Sequence, residues 1–140
     1  MTVVASVGHA QALDGREAGL QAAHKALNKI GVNTPGLAVV ISSHQYQARE
    51  VLNGVSSLLG DTPMIGFSSP AGLTNDGQHP HSVLVALLSG DFQVDTSWFP
   101  GYAQSGRETA AKITQHVQAR VERQSTIFFA DGFNGDAEQF

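Results

Sequence analysis

The sequence predicts a layered α/β domain with a mixed, mostly parallel sheet, flanking helices and one antiparallel hairpin. Strand-like and helix-like segments alternate along the chain in the order β-α-β-α-β-loop-β-β-α-β. Residues 37–41 form an apolar run without polar alternation, typical of a central strand covered on both faces. A tight-turn signal at Gly90-Asp91 separates two later β-prone segments. With 140 residues, the chain is expected to form a single domain over residues 1–140.

The first half is predicted to contain three strands and two helices. Strands are expected over residues 2–7, 37–41 and 64–67, the last of them buried. The first helix begins with a capping box formed by Asp14 and Glu17 and ends at Gly31. Its apolar positions recur at helical spacing: Ala18, Ala22, Ala23, Ala26, Leu27 and Ile30. A second helix is expected over residues 47–59, and its apolar stripe consists of Val51, Leu52, Val55, Leu58 and Leu59.

The second half is predicted to contain the hairpin, a helix and a last strand. Residues 70–80 are rich in Gly, Pro, Asn and Asp and are expected to form a long loop. Strands over 82–88 and 92–98 would form the hairpin, and a third helix follows a capping box at Ser105 and Glu108. Its stripe consists of Ala110, Ile113, Val117 and Val121. A strand is expected over 125–130, and Asp136 resembles the N-cap of another helix, so the chain is expected to be a fragment of a longer protein.

Composition excludes several classes of partner. The net charge is −4 and the pI is near 5.8, which argues against a nucleic acid or an anionic membrane surface. The chain has no cysteine, so it has neither a disulfide framework nor a thiolate metal site. No apolar run approaches the roughly 18 residues that span a bilayer, and no signal peptide is evident. These observations predict a cytoplasmic protein.

Small and hydroxylic residues follow the predicted strands. Ser42 and Ser43 come after the second strand, and Ser68 and Ser69 come after the third. Ligands in open α/β sheets bind beyond the carboxyl ends of the strands. Hydroxyls there can hydrogen-bond a small polar ligand, and Gly72 in the following segment lets such a ligand approach the backbone.

Asp131 completes this predicted ligand site. It follows the last apolar strand, so its carboxylate could accept hydrogen bonds from the amine of a ligand. The alternative is that Asp131 only forms an Asx-type turn with Gly132, and that the serines only satisfy backbone groups in turns.

The order and spacing of these segments resemble the N-terminal domain of FIST proteins. The resemblance depends on residues 37–43, on residues 64–69, on Gly72 and Gly77, and on residues 128–132. It implies an intracellular signal-transduction sensor that binds small molecules such as amino acids, and it implies no established reaction. It also implies a C-terminal FIST-type domain in the full protein. The chain departs from the family pattern at Pro70, which intervenes after the third strand, and at Leu73, where an acid is common.

Two other functions remain open at this point. A serine hydrolase would use Ser68 or Ser69 with His44 or His79, but residues 66–70 lack the second glycine of the Gly-x-Ser-x-Gly elbow, which favours a binding domain over an enzyme. A protein-interaction module, for example a homodimer, would use an unpaired strand edge.

No cofactor or metal is expected. The chain has neither a Walker-type loop nor Gly-x-Gly-x-x-Gly. A metal site at His79 and His81, completed by Asp76 or His44, is geometrically possible but is not assigned.

Overall fold

The computed structural model describes residues 2–119 and 125–134. The chain forms two compact units, Met1–Thr96 and Ser97–Phe140. The elements of the first unit are β1 (Val4–Ala10), α1 (Gly15–Ile30), β2 (Leu37–Ser43), α2 (Ala48–Leu59), β3 (Met64–Ser69), β4 (Ala71–Thr74), β5 (Gly77–Pro80) and β6 (Val83–Ser89), and the second unit contains α3 (Gly106–Gln118). The predicted α/β class with a mixed sheet is confirmed.

Four strands form the main sheet of the first unit in the order β1-β6-β2-β3. β6 is antiparallel to both β1 and β2, whereas β2 and β3 are parallel. It follows that β1, β2 and β3 all point in one direction. Their carboxyl ends therefore lie at the same edge of the sheet, called here the carboxyl edge.

One face of this sheet packs against α1 and α2. Alternate residues of β2 and β6 face these helices, including Val40, Val85 and Leu87. The alanine stripe of α1 and Gly8 of β1 allow the helix to lie close to the strand. A Cβ added at Gly8 would lie only 2.2 Å from the Ala22 carbonyl oxygen. The small residues that predicted the helix thus also set its distance from the sheet.

Two glycines allow α1 and α2 to touch through their backbones. A Cβ added at Gly54 would lie 2.0 Å from the Arg16 carbonyl oxygen, and one added at Gly19 would lie 2.4 Å from that of Val51. Real side chains cannot occupy such distances. The helix pair therefore requires glycine at both positions.

The predicted helix caps of the first unit are confirmed, whereas the apolar stripe predicted for α2 is wider than the face that α2 buries. The Asp14 carboxylate accepts from the Glu17 N–H at 2.8 Å, and Gly31 ends α1 with a φ of 70°. On α2, Val51 and its helical neighbours are buried, but Leu52 and Leu58 are about 40% exposed. The buried face of α2 is therefore narrower than predicted.

The segment predicted as a loop over residues 70–80 is instead a β-hairpin. β4 and β5 pair as a separate two-stranded antiparallel sheet, with Thr74 opposite Gly77. Asn75 and Asp76 form the turn, and the left-handed φ of 117° at Gly77 suits glycine. The Gly, Asn and Asp residues that predict a loop are also the residues that a tight turn between two four-residue strands requires.

The hairpin predicted over residues 82–98 does not form. β6 confirms its first strand, but residues 91–99 contain no strand. Both edges of β6 are already paired, one with β1 and the other with β2, so no edge remains for a return strand. Instead, the Phe92 ring packs beside Gly36 and Gly90.

The second unit is described over residues 97–119 and 125–134. The Ser105 hydroxyl accepts from the Glu108 N–H at 3.3 Å and caps α3, as predicted. The strand predicted over residues 125–130 is wrong, because this exposed segment has no strand conformation in the structure. The described residues of this unit contain no strand. The predictions for Val121 and Asp136 lie outside the described residues.

Candidate functional site

The four predicted serines are brought together by the parallel pairing of β2 and β3. Ser42 is opposite Ser68, and Ser43 is opposite Ser69, at the last two positions of the ladder. Residues in register on neighbouring parallel strands are about 5 Å apart and share a face. The two pairs therefore form a short band of hydroxyl-bearing residues at the carboxyl edge, one pair on each face.

The serines differ in exposure and in hydrogen bonding. Ser42 and Ser43 are only 7% and 2% exposed, whereas Ser68 is exposed. The Ser43 hydroxyl accepts from the Gln45 N–H at 3.3 Å, and the Ser69 hydroxyl donates to the Ala71 carbonyl at 2.9 Å. Ser43 and Ser69 thus satisfy local backbone groups, and Ser68 offers the most accessible hydroxyl.

Gly72 positions the β4–β5 hairpin on the main sheet. A Cβ added there would lie 2.1 Å from a methyl carbon of Leu84 on β6. Leu84 is in register with His9 and Ile41, on the face opposite α1 and α2. The hairpin therefore covers that face near the carboxyl edge, and Gly72 is required by packing there.

Asp131 belongs to the second unit and forms an Asx-type turn. Its carboxylate accepts from the Asn134 side-chain amide at 2.7 Å and from the Phe133 N–H at 3.0 Å. These hydrogen bonds, that of Asn134 first, lower the pKa of Asp131 below its usual value. The exposed carboxylate is therefore ionised at neutral pH.

Tyr46 joins three segments at the carboxyl edge. Its side chain is only 7% exposed, and its hydroxyl donates to the Ala12 carbonyl at 2.8 Å. The same oxygen lies 3.2 Å from the Ala12 N–H and 3.3 Å from the His81 carbonyl. One phenol thus fixes the loop after β1 and the connection before β6 against the loop after β2.

Two open grooves lie beside these loops. The first, called here the edge groove, has a volume of about 350 Å³ and is lined by His9, Ala10, Gln11, Lys25, Gln78, His79 and Pro80. The second, called the helix-end groove, has a volume of about 370 Å³ and is lined by Leu13, Asp14, Gly15, Gln45, Tyr46, Gln47 and Glu50. Both volumes fall at the lower end of the usual range for small-molecule sites, about 300–1,000 Å³.

The edge groove lies between the open edge of β1, α1 and the hairpin. The His9 and His79 rings stack with centroids 3.9 Å apart. The Lys25 ammonium donates to the His9 carbonyl at 3.0 Å, and the Gln11 side-chain amide donates to the Pro80 carbonyl at 2.6 Å. These contacts tie the hairpin and α1 to the end of β1.

The surroundings of His9 oppose its protonation. Burial is the largest cause, and the nearby His79, Lys25 and Lys29 add to it, whereas Asp76 acts in the opposite direction. Together they lower the pKa of His9 below its usual value near 6.5. The imidazole is therefore mostly neutral at pH 7.

In the described residues, His44, His79 and His81 form neither the metal site nor the serine–histidine pair considered from the sequence. A serine and a histidine do meet in the second unit, where Ser97 Oγ lies 3.2 Å from His116 Nε2. Within residues 2–119 and 125–134, no three His, Cys, Asp or Glu side chains are placed to share a metal ion. His79 Nε2 bonds the Thr74 hydroxyl at 2.7 Å, while His81 has a φ of 47° and turns its ring toward Gln45 and Tyr46. In the same ranges, no hydrogen bond joins a histidine ring to the Ser68 or Ser69 hydroxyl.

The sequence matches a known family over most of its length. The FIST N domain family matches residues 36–140. The chain belongs to the FIST N domain family. This confirms the resemblance found in the sequence, and because the family is one of signal-transduction domains, it supports a sensory or signalling role for this FIST N domain.

Other comparisons add no functional information about this FIST N domain. Among solved structures, an FtsZ mutant from M. jannaschii is similar to it at 15% identity with a TM-score of 0.42. The similarity covers 63% of this chain and 27% of the FtsZ chain. No curated protein matches. In the part of the chain that the structure describes, no helix is both long and apolar enough to cross a membrane.

Sequence reasoning missed most of the groove residues of this FIST N domain. Lys25 lies within the predicted first helix without any motif of its own, and Gln11 and Gln78 belong to no motif either. His9 and Tyr46 did follow predicted strands, which is the signal that also selected the serines. His9 and His79 are 70 positions apart, and only the unpredicted hairpin brings their rings together.

Proposed function

We propose that this FIST N domain is the ligand-binding part of a sensor and that it recognises a small polar molecule, such as an amino acid, at the carboxyl edge. One observation carries the proposal. The carboxyl ends of β1, β2 and β3 lie at one edge, where two serine pairs stand in register and two grooves open. Convergent polar groups beside a concave surface are the usual setting for a small-molecule site.

The charges around the edge favour a zwitterionic ligand. The edge groove is lined by Lys25 and two histidines, whereas the helix-end groove is lined by the carboxylates of Asp14 and Glu50. A molecule that carries both a carboxylate and an ammonium group finds complementary charges at this edge. The serine hydroxyls can bond either group, since a hydroxyl both donates and accepts.

Within the proposal, the direct contacts in the first unit are those predicted from the sequence: Ser42, Ser43, Ser68, Ser69 and Gly72. The contact predicted for Asp131, which belongs to the second unit, stays a separate prediction. Ser68 is the strongest candidate because its side chain is exposed next to buried Ser42. A bound ligand would change the population of conformations that a neighbouring C-terminal FIST-type domain reads.

A thermal-shift screen over amino acids and related metabolites tests the proposal. A ligand at a hundredfold excess over its Kd stabilises the native state by about 2.7 kcal/mol, enough for a shift of several degrees. Calorimetric titration of the best compound should then give a Kd that Ser68→Val raises. Ser57→Ala is the matched control, because Ser57 lies near the carboxyl-terminal end of α2, which is away from the carboxyl edge. If no amino acid or related polar metabolite stabilises the protein, the proposal fails.

A further inference from the structure

The edge groove is rich in hydrogen-bond donors and basic groups. Its lining contains Lys25, His9 and His79 but neither Asp nor Glu. Lys25 uses one of its three N–H donors on the His9 carbonyl, which leaves two for another acceptor. The positive charge of Lys25 in the groove is therefore not fully engaged by contacts with the sheet and the helix, and it remains available to a ligand.

The His9 imidazole makes this charge depend on pH. The His79 ring stacks on it with centroids 3.9 Å apart, and this contact, together with burial, opposes protonation of His9. Lys25 and Lys29 on α1 act in the same direction, and only Asp76, at the turn of the hairpin, opposes them. An anion bound beside these groups would weaken the repulsion and favour the protonated His9 ring.

We propose that the edge groove binds a small carboxylate, held by Lys25 and the two stacked imidazoles, and that the carboxylate binds more tightly as the His9 imidazole takes up a proton. A carboxylate fits better than a phosphate, because the lining lacks the glycine-rich backbone that usually cradles phosphate. The carboxylate belongs either to the sensed amino acid or to a separate carboxylic acid. Only the first of these two sources rests on the proposed function, which the inference deepens.

Histidine NMR signals test the inference directly, with succinate as the probe. Succinate should shift the ring signals of His9 and His79 saturably, with a Kd in the micromolar to millimolar range. The Kd should be smaller at about pH 5.5 than at about pH 7.5, by up to about tenfold for each unit by which the anion raises the pKa of His9. Inorganic phosphate is the competing probe, and equal or tighter binding of phosphate would contradict the choice of carboxylate.

Variants of the lysine separate a built site from general charge attraction. Lys25→Met should weaken succinate binding at least about fivefold, whereas Lys25→Arg should retain it because the charge is kept. Lys112→Met, at an exposed position of α3, removes the same net charge and should leave the Kd unchanged. Equal weakening by Lys25→Met and Lys112→Met would overturn the inference, as would the absence of saturable shifts at His9 and His79.

The same titrations distinguish this inference from the proposed function. If an amino acid binds while succinate does not and both histidines stay silent, the inference is wrong and the sensor proposal survives. If succinate binds in the groove while no amino acid or related metabolite stabilises the protein, the inference is correct and the sensor proposal fails. Shifts of the two histidines by both compounds identify the groove as the carboxylate subsite of the sensor.

Discussion

Single residues hold the carboxyl edge of the first unit in shape. Tyr46 is the main example, since its hydroxyl contacts backbone groups of Ala12 and His81 that come from different connections. Lys25 and Lys29 act similarly along β1, where each ammonium donates to a strand carbonyl, that of His9 and that of Val7. These lysines cover the open edge of β1, a common protection against strand pairing between molecules.

Replacing Tyr46 with phenylalanine should destabilise the protein without changing its fold. The ring stays in place, but the Ala12 N–H and the two carbonyls lose their shared partner. We expect the free energy of unfolding to fall by about 1–3 kcal/mol, as measured by urea denaturation. Leu13→Ser, fully exposed in the loop after β1 next to Ala12, is the control and should change the free energy of unfolding by less than about 0.5 kcal/mol. An effect of Tyr46→Phe no larger than that of the control would contradict the anchoring role.

His9 should make stability depend on pH. Because its pKa is lowered in the folded protein, the unfolded chain binds more protons near pH 6. The contribution of His9 is therefore present above about pH 6.5 and is lost as the pH falls through the folded pKa. Urea denaturation at a series of pH values should show this loss, and His9→Gln should reduce the slope. His24→Gln, at an exposed position of α1, should not, and an unchanged slope in His9→Gln would contradict the assignment.

At the scale of elements, the contact of α1 with α2 depends on backbone approach. Gly54→Ala would place a methyl group about 2.0 Å from the Arg16 carbonyl oxygen, so the helices must separate. Overpacking of this kind costs about 1–3 kcal/mol, which exceeds the gain in helix propensity from glycine to alanine. Asn53→Ala, the exposed neighbour on α2, is the matched control. Greater stability of Gly54→Ala than of the unmodified protein would show that this packing is wrong.

The elements that depend on local chemistry were predictable, and those that depend on strand order were not. Asp14 and Ser105 cap their helices through contacts three residues away, so the sequence pattern contains the whole signal. The position of β6 between β1 and β2 is a long-range pairing, and it removed the return strand expected over residues 92–98. The hairpin of β4 and β5 was missed because its turn residues are also typical of loops.

In the candidate site, too, the features that depend on local sequence were predictable and those that depend on long-range packing were not. The rule that ligands bind at the carboxyl ends of strands selected Ser42, Ser43, Ser68 and Ser69, and β2 and β3 place these serines in register. Their role in binding stays a prediction. The edge groove could not be predicted, because it forms where α1, β1 and the hairpin lie side by side. No local sequence pattern indicates that these three elements are adjacent.

At the scale of the whole molecule, the family and the first unit point to the same conclusion. The FIST N domain match supports signalling, and the sheet supplies one edge where hydroxyls, amides and charged groups gather. The alternative of a serine hydrolase would need Ser68 or Ser69 in contact with His44 or His79. In the described residues, Ser69 donates to a backbone carbonyl and His79 bonds Thr74. Ligand recognition at the carboxyl edge stays a proposal.

The most direct test of ligand binding at the carboxyl edge is an amide NMR titration of the uniformly labelled protein with an amino-acid panel. We predict that at least one amino acid shifts the signals of Ser42, Ser43, Ser68 and Ser69 saturably, together with those of His9 or Tyr46 beside them. Saturable shifts confined to residues away from this edge, or no shifts with any member of the panel, would contradict it.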